Sequence, residues 1–125
     1  MIMIIKKLFR LFLKLIRNSN ILEFETLLIN CRYLNELYIL IRDKVFDWNK
    51  LFEILTKSSP MSLFKFKFYT SFSMVLRLEP FFDNWKGRHP MLLQTIPGNN
   101  IDLELIERYK AKGIIEKYGY DGGNF

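Results

Sequence analysis

Apolar and polar positions along this 125-residue chain change period repeatedly, from helix-like spacing to strict alternation and back. Lys6, Lys7, Arg10, Lys14 and Arg17 share one arc of a helical wheel, with Leu8, Leu11, Phe12 and Leu15 on the other side, which predicts a basic amphipathic helix over 6–17. Asn18-Ser19-Asn20 interrupts it. Asn20 and Glu23 form a capping-box pair for a second helix, carrying Leu22, Leu27 and Leu28 toward a core. Cys31, Leu34, Leu37 and Ile39 are spaced by three and then by two, so this segment ends in a short strand. Asp47 is the expected N-cap of a helix with Trp48, Leu51, Phe52 and Leu55 on one face, closed by Lys57-Ser58-Ser59-Pro60. Phe64-Lys65-Phe66-Lys67-Phe68 alternates strictly: a strand with its phenylalanines on a buried face and its lysines in solvent. Pro80 marks the first turn of a helix bearing Phe81, Phe82 and Trp85 and stopped by Gly87. Met91 to Ile96 is a further expected strand. Asn100 then caps a helix from Ile101 to Lys112 that Gly113 ends, and Ile114-Ile115 opens a last strand.

These alternating elements repeat. Cys31, Leu34, Leu37 and Ile39 recur as Pro60, Leu63, Phe66 and Phe68, all four at one constant offset. A weaker third copy, offset by one position more, carries Pro60, Leu63 and Phe66 onto Pro90, Leu93 and Ile96. Backwards, Ile5 and Leu8 precede Leu34 and Leu37 by the same offset as the first pair, a spacing that makes the N-terminal segment a first repeat strand and competes with its helical reading. A period of roughly 29 residues with L-x-x-L-x-L strands falls at the long end of leucine-rich repeats. One strand with one helix behind it cannot bury its apolar face alone, so such units must stack. The expected fold is therefore α/β: a short leucine-rich-repeat-like stack of three to four strand–helix units, with an N-terminal amphipathic helix acting as a cap. The organisation is a basic segment over 1–20, the repeat-like domain over 21–118 and a flexible tail over 119–125.

Charge refines this picture. The net charge is +6, but residues 1–20 alone carry +5 and residues 61–97 carry +3, the remainder being slightly acidic. Two basic patches favour acidic partners, and the first also suits an anionic membrane surface or nucleic acid. Alanine occurs once, at Ala111, against 12 phenylalanines, the bias of an A/T-rich coding sequence, which lowers the weight of any surplus Phe, Ile, Asn or Lys. The apolar runs Met1 to Ile5 and Leu11 to Leu13 fall far short of the roughly 20 residues of a membrane span. A single cysteine, Cys31, forms no internal disulfide and points to an intracellular setting, cytoplasmic or nuclear.

Catalytic chemistry is absent from the patterns. There is no P-loop, no G-x-G-x-x-G, no H-E-x-x-H and no G-x-S-x-G. His89, the one histidine, reads as a loop residue before Pro90, and Cys31 as a buried structural thiol. Glu104 and Glu107 face Arg108, Lys110 and Lys112 in ordinary helical charge pairing. Neither an enzyme with a small-molecule substrate nor a metal or cofactor site is expected. Lys65 and Lys67 among phenylalanines imitate an RNA-binding strand, but the apolar face of such an alternation is core.

The stretch from Phe81 to Gln94 (FFDNWKGRHPMLLQ) and that from Leu105 to Tyr118 (LIERYKAKGIIEKY) resemble the C-terminal part of a large family of fungal F-box-type proteins with degenerate leucine-rich repeats. Leu27 to Tyr38 (LLINCRYLNELY) and Leu51 to Pro60 (LFEILTKSSP) resemble the repeats that precede that ending. The family's F-box, which docks onto the cullin ubiquitin-ligase adaptor, has no counterpart here, so the resemblance implies the substrate-recruiting half alone. It implies a non-catalytic protein-interaction module that displays Tyr38, Lys65, Lys67 and Gln94 on an exposed sheet to a protein partner. The alternative is a peripheral membrane or nucleic-acid binder acting through Lys6, Lys7, Arg10, Lys14 and Arg17.

Overall fold

A computed structural model describes residues 10–15, 21–41, 45–70, 77–96 and 101–119. Strands and helices alternate without exception among them: β1 (Arg10–Leu15), α1 (Ile21–Asn30), β2 (Glu36–Ile41), α2 (Trp48–Ser58), β3 (Lys65–Thr70), α3 (Glu79–Asp83), β4 (Met91–Ile96), α4 (Leu103–Ala111) and β5 (Ile115–Gly119). The strands form one sheet in the order β1-β2-β3-β4-β5, each pair parallel. A parallel sheet that advances one strand at a time by right-handed crossovers keeps its helices on one side. The expected α/β stack of strand–helix units is present.

Register explains the core. Leu37, Phe66 and Leu93 lie in one row across β2, β3 and β4, and Ile39, Phe68 and Thr95 in the next. These rows face the helices, whose Phe24, Leu28, Leu51, Leu55, Phe82 and Ile106 complete a single buried cluster. Aromatic rings fill its middle: Phe52 stacks on Phe81 at 5.1 Å, and Trp85 meets Phe66 edge-on at 5.3 Å. Each of the two clean repeats enters its strand through the same tight turn, Leu34 N–H donating to Cys31 carbonyl (3.2 Å) and Leu63 N–H to Pro60 carbonyl (3.0 Å). The spacing of three before each strand is thus a turn, with Cys31, Leu34 and Leu63 buried at its ends. Burial also raises the pKa of the Cys31 thiol, as befits a structural group.

The structure corrects several expectations. Residues 10–15 are strand, not part of a helix over 6–17. The leucines of Arg10-Leu-Phe-Leu-Lys-Leu15 satisfy a period of two as well as the helical one, and pairing with β2 aligns Leu11, Leu13 and Leu15 with the buried Leu37, Ile39 and Ile41. Nor does the strand sit where the repeat spacing put it: Leu11, not Leu8, is opposite Leu37, so the first step is shorter than the second. The basic segment thus contributes a strand to the sheet, and Lys6, Lys7 and Arg17 lie outside the described residues. The third repeat is likewise shifted, since Leu93 pairs with Phe66 and not with Leu63. The steps are unequal, and the helices they contain differ too, with 10, 11 and 5 residues in α1, α2 and α3.

Smaller corrections follow helix geometry. Leu22 is 72% exposed, while Ile21, Phe24, Leu27 and Leu28 turn inward; Asn20 lies outside the described residues. Asp47 caps α2 as expected, its carboxylate accepting from Lys50 N–H at 3.0 Å. α3 ends at Asp83, before Trp85: Asn84 N–H still donates to the Pro80 carbonyl, which its side chain also caps, but Trp85 N–H reaches back only to Phe82, closing the helix in a tighter turn. Gly87 (φ 79°) serves the turn that follows, and Gly113 (φ 77°) the turn out of α4. Asp102, not Asn100, caps α4, accepting from Glu104 and Leu105 N–H. Gly119, assigned to the tail, ends β5.

Tyr109 on α4 donates its hydroxyl proton to Asp83 at the end of α3. That bond, with burial second, pushes the phenol up to about 12 from an ordinary 10. The fold favours the neutral phenol, so this contribution is complete below the unfolded value near 10 and is lost as pH rises through about 12. Tyr109→Phe is expected to be less stable than the parent by about 1 kcal/mol at neutral pH. In urea titrations that difference narrows as pH climbs through this interval; a difference independent of pH removes the hydrogen bond as its cause.

Candidate functional site

The sheet face opposite the helices gathers the four residues expected to meet a protein partner. One row runs Glu36, Lys65, Leu92, Lys117; the next runs Tyr38, Lys67, Gln94, Gly119; a third holds Leu40, Tyr69 and Ile96. Arg10, Phe12 and Lys14 stand at the register positions that extend these rows onto β1. The repeat therefore does bring Tyr38, Lys65, Lys67 and Gln94 together, on adjacent strands about 4.8 Å apart.

Their exposure differs from expectation. Lys67 is only 5% exposed and Gln94 1%, and Glu36 is buried beside them at 5%. Long side chains on neighbouring strands lie across one another. The Lys67 ammonium sits 4.4 Å from the centroid of the Tyr38 ring, and Gln94 extends over Gly119, where its Nε2 lies 3.3 Å from the position a Cβ would take. A side chain at Gly119 would require the Gln94 amide to give by a few tenths of an ångström. None of Glu36, Tyr38, Lys67 and Gln94 is without a partner. Lys67 and Gln94 thus pack against their neighbours, and Tyr38, Lys65 and Tyr69, half-buried, with the exposed Lys117 are the more accessible residues of this face.

Sequence reasoning missed a second feature at the N-terminal rim of the sheet. The alternation puts Phe64 on the core face with Phe66 and Phe68, but the residue precedes β3, stays half-buried and remains outside the core cluster. Its ring meets the exposed His89 at 4.2 Å between centroids, while the Lys65 ammonium approaches within 5.5 Å. His89 Nδ1 is 2.8 Å from the carbonyl of Pro90. The one signal for this rim was the start of the alternation itself, where the chain is still leaving the turn that precedes the strand.

Arg88 holds that rim in place. Its Nη2 donates to the carbonyls of Ser59 (2.9 Å) and Pro60 (2.8 Å), where α2 ends, and its guanidinium lies 4.2 Å from the Trp85 ring. A cation at a helix C-terminus also complements the helix dipole. Partial burial lowers its pKa, although the group remains charged. Trp85 Nε1–H donates to the His89 carbonyl at 3.0 Å, so the clamp and the rim histidine share one loop.

Among the described residues, no group of three or more His, Cys, Asp or Glu is placed to hold a metal. Glu107 pairs with Lys110 at 3.5 Å on the surface of α4, as its spacing indicates. Among the described residues, too, no helix is long and apolar enough to cross a membrane. Compared with known proteins, the chain matches no protein-family model, no curated protein and no solved structure. Arg88→Ala is expected to lower stability by about 1–3 kcal/mol in urea unfolding, since it strips two charge-assisted bonds from the end of α2. Arg88→Lys recovers less than half, because an ammonium lacks the planar fork and does not stack on the indole. Equal stability of all three forms rejects the clamp.

Proposed function

We propose that this chain is a non-catalytic protein–protein interaction module, working inside the cell in cytoplasm or nucleus, that holds an acidic protein surface on the open face of its sheet. It resembles the substrate-recruiting repeats of F-box ubiquitin-ligase subunits in kind. The observation that carries this reading is the sheet face shared by Tyr38, Lys65, Tyr69 and Lys117, set around the buried Lys67, Leu92 and Gln94, with Phe64 and His89 at its rim and a single packed core behind it. Tyrosine is among the residues that dominate binding hot spots, and rings already fixed by neighbours lose little entropy on association. Lys65, Lys67 and Lys117 against Glu36 leave the described part of this face positive, which speeds encounter with acidic partners. The membrane or nucleic-acid alternative loses support, because its amphipathic helix is strand across residues 10–15.

The test is affinity capture from cell extract with the full chain and two variants, read by mass spectrometry, with circular dichroism checking each fold. Tyr38→Ala combined with Lys65→Glu disrupts the open face; Leu22→Glu alters the outer surface of α1, where Leu22 is 72% exposed. The expected result is a discrete protein whose recovery falls about tenfold or more with the first variant and is unchanged with the second. Equal recovery by all three proteins, or recovery of lipid or nucleic acid alone, rejects the proposal.

A further inference from the structure

The helical layer has a gap that the sheet does not. α3 has 5 residues beside the 11 of α2, and a cleft of about 460 Å³ opens between them. Its floor is apolar, formed by the stacked Phe52 and Phe81 with Pro80 beside them. Its rim is polar and biased toward positive charge. Glu53, the single carboxylate among the lining residues, is held by Lys57 at 2.8 Å and approached by Lys50 at 3.9 Å. Thr56 and Asn84 turn their side-chain donors onto carbonyls of their own helices, Phe52 at 2.9 Å and Pro80 at 2.7 Å. Arg77, on the same rim, makes neither a hydrogen bond nor an ion pair among the described residues.

We propose that this cleft binds a small organic carboxylate with an apolar body. The acid group is taken by Arg77, whose planar fork matches a carboxylate in two parallel hydrogen bonds, and the body lies over Pro80 and the Phe52–Phe81 pair. The volume falls in the range of small-molecule pockets, and an apolar floor with one convergent charged group is their usual lining. A partner helix is a poorer occupant: α3 is about 7.5 Å long, too short to wall a groove two helical turns deep. This site lies among the helices and is independent of the open sheet face.

The probe is 3-phenylpropionate, titrated into the ¹⁵N-labelled full chain and followed by amide chemical shifts, with uncharged 3-phenylpropanamide as comparison. Saturable shifts are expected at Asn49, Thr56 and Asn84. Arg77→Gln, a change at an exposed position, weakens the acid about tenfold, and the amide binds the parent equally poorly. Glu53→Gln, which removes the rim's one negative charge, leaves binding intact or strengthens it. The proposal fails if these amides do not approach saturation by about 10 mM acid, if acid and amide bind alike, or if Arg77→Gln has no effect. Should a captured protein partner shift these amides while the acid does not, the occupant is a protein segment and the small-acid assignment is overturned.

Discussion

A parallel sheet with all its helices on one side has one wet face and one dry face, and everything else in this molecule depends on keeping the two apart. Side chains alternate along each strand, so a slip of one residue between neighbours exchanges the faces of a whole strand. The rows Leu37–Phe66–Leu93 and Ile39–Phe68–Thr95 show how the constraint is met. Register is not inherited from a uniform repeat, because the steps between strands are unequal. It is set locally, by tight turns that end on a buried leucine before β2 and β3, and by the aromatic cluster that accepts Phe66 and Phe68 in one arrangement.

The wet face inherits its order from the dry one. Because the strands are held at fixed spacing from behind, Lys67 is brought against Tyr38 and Gln94 against Gly119, and both polar side chains are buried. Side chains already packed against one another lose little freedom when a partner docks, which is what the proposed interaction needs if contacts are to outweigh the cost of ordering them. Fastening extends to the rim, where Arg88 ties the loop carrying His89 to the end of α2. The short α3 belongs to the same logic. Brief as it is, it suffices to bring Phe81 and Phe82 into the core, and the space it leaves beside α2 becomes the cleft.

Much of this was legible in the residues. Asp47 as a cap, Pro80 opening α3, Gly113 closing α4 and the strand from Met91 to Ile96 were all readable, because each rests on chemistry within a few positions. The two clean repeats showed their common spacing through four matched positions. Less was readable where two periods fit the same letters. Leu11, Phe12, Leu13 and Leu15 serve a helix or a strand equally well, and Phe64 continues an alternation whose first member lies outside the strand. Tyr38, Lys65, Lys67 and Gln94 do share one face, but Lys67 and Gln94 are buried on it rather than exposed, beside residues of other strands a whole unit away along the chain.

By itself, then, the sequence determined the order and kind of nearly every element, the apolar face of each, and the stacking of strand–helix units, because caps, turn formers and periodicity act over short distances. Tertiary structure alone decided that the basic N-terminal segment supplies a strand, that the third unit is offset against the second, that Phe64 pairs with His89 at the rim, and that a cleft opens beside α3. Each of these depends on which surface is available to pair with or pack against, and that surface exists only once the other units are in place.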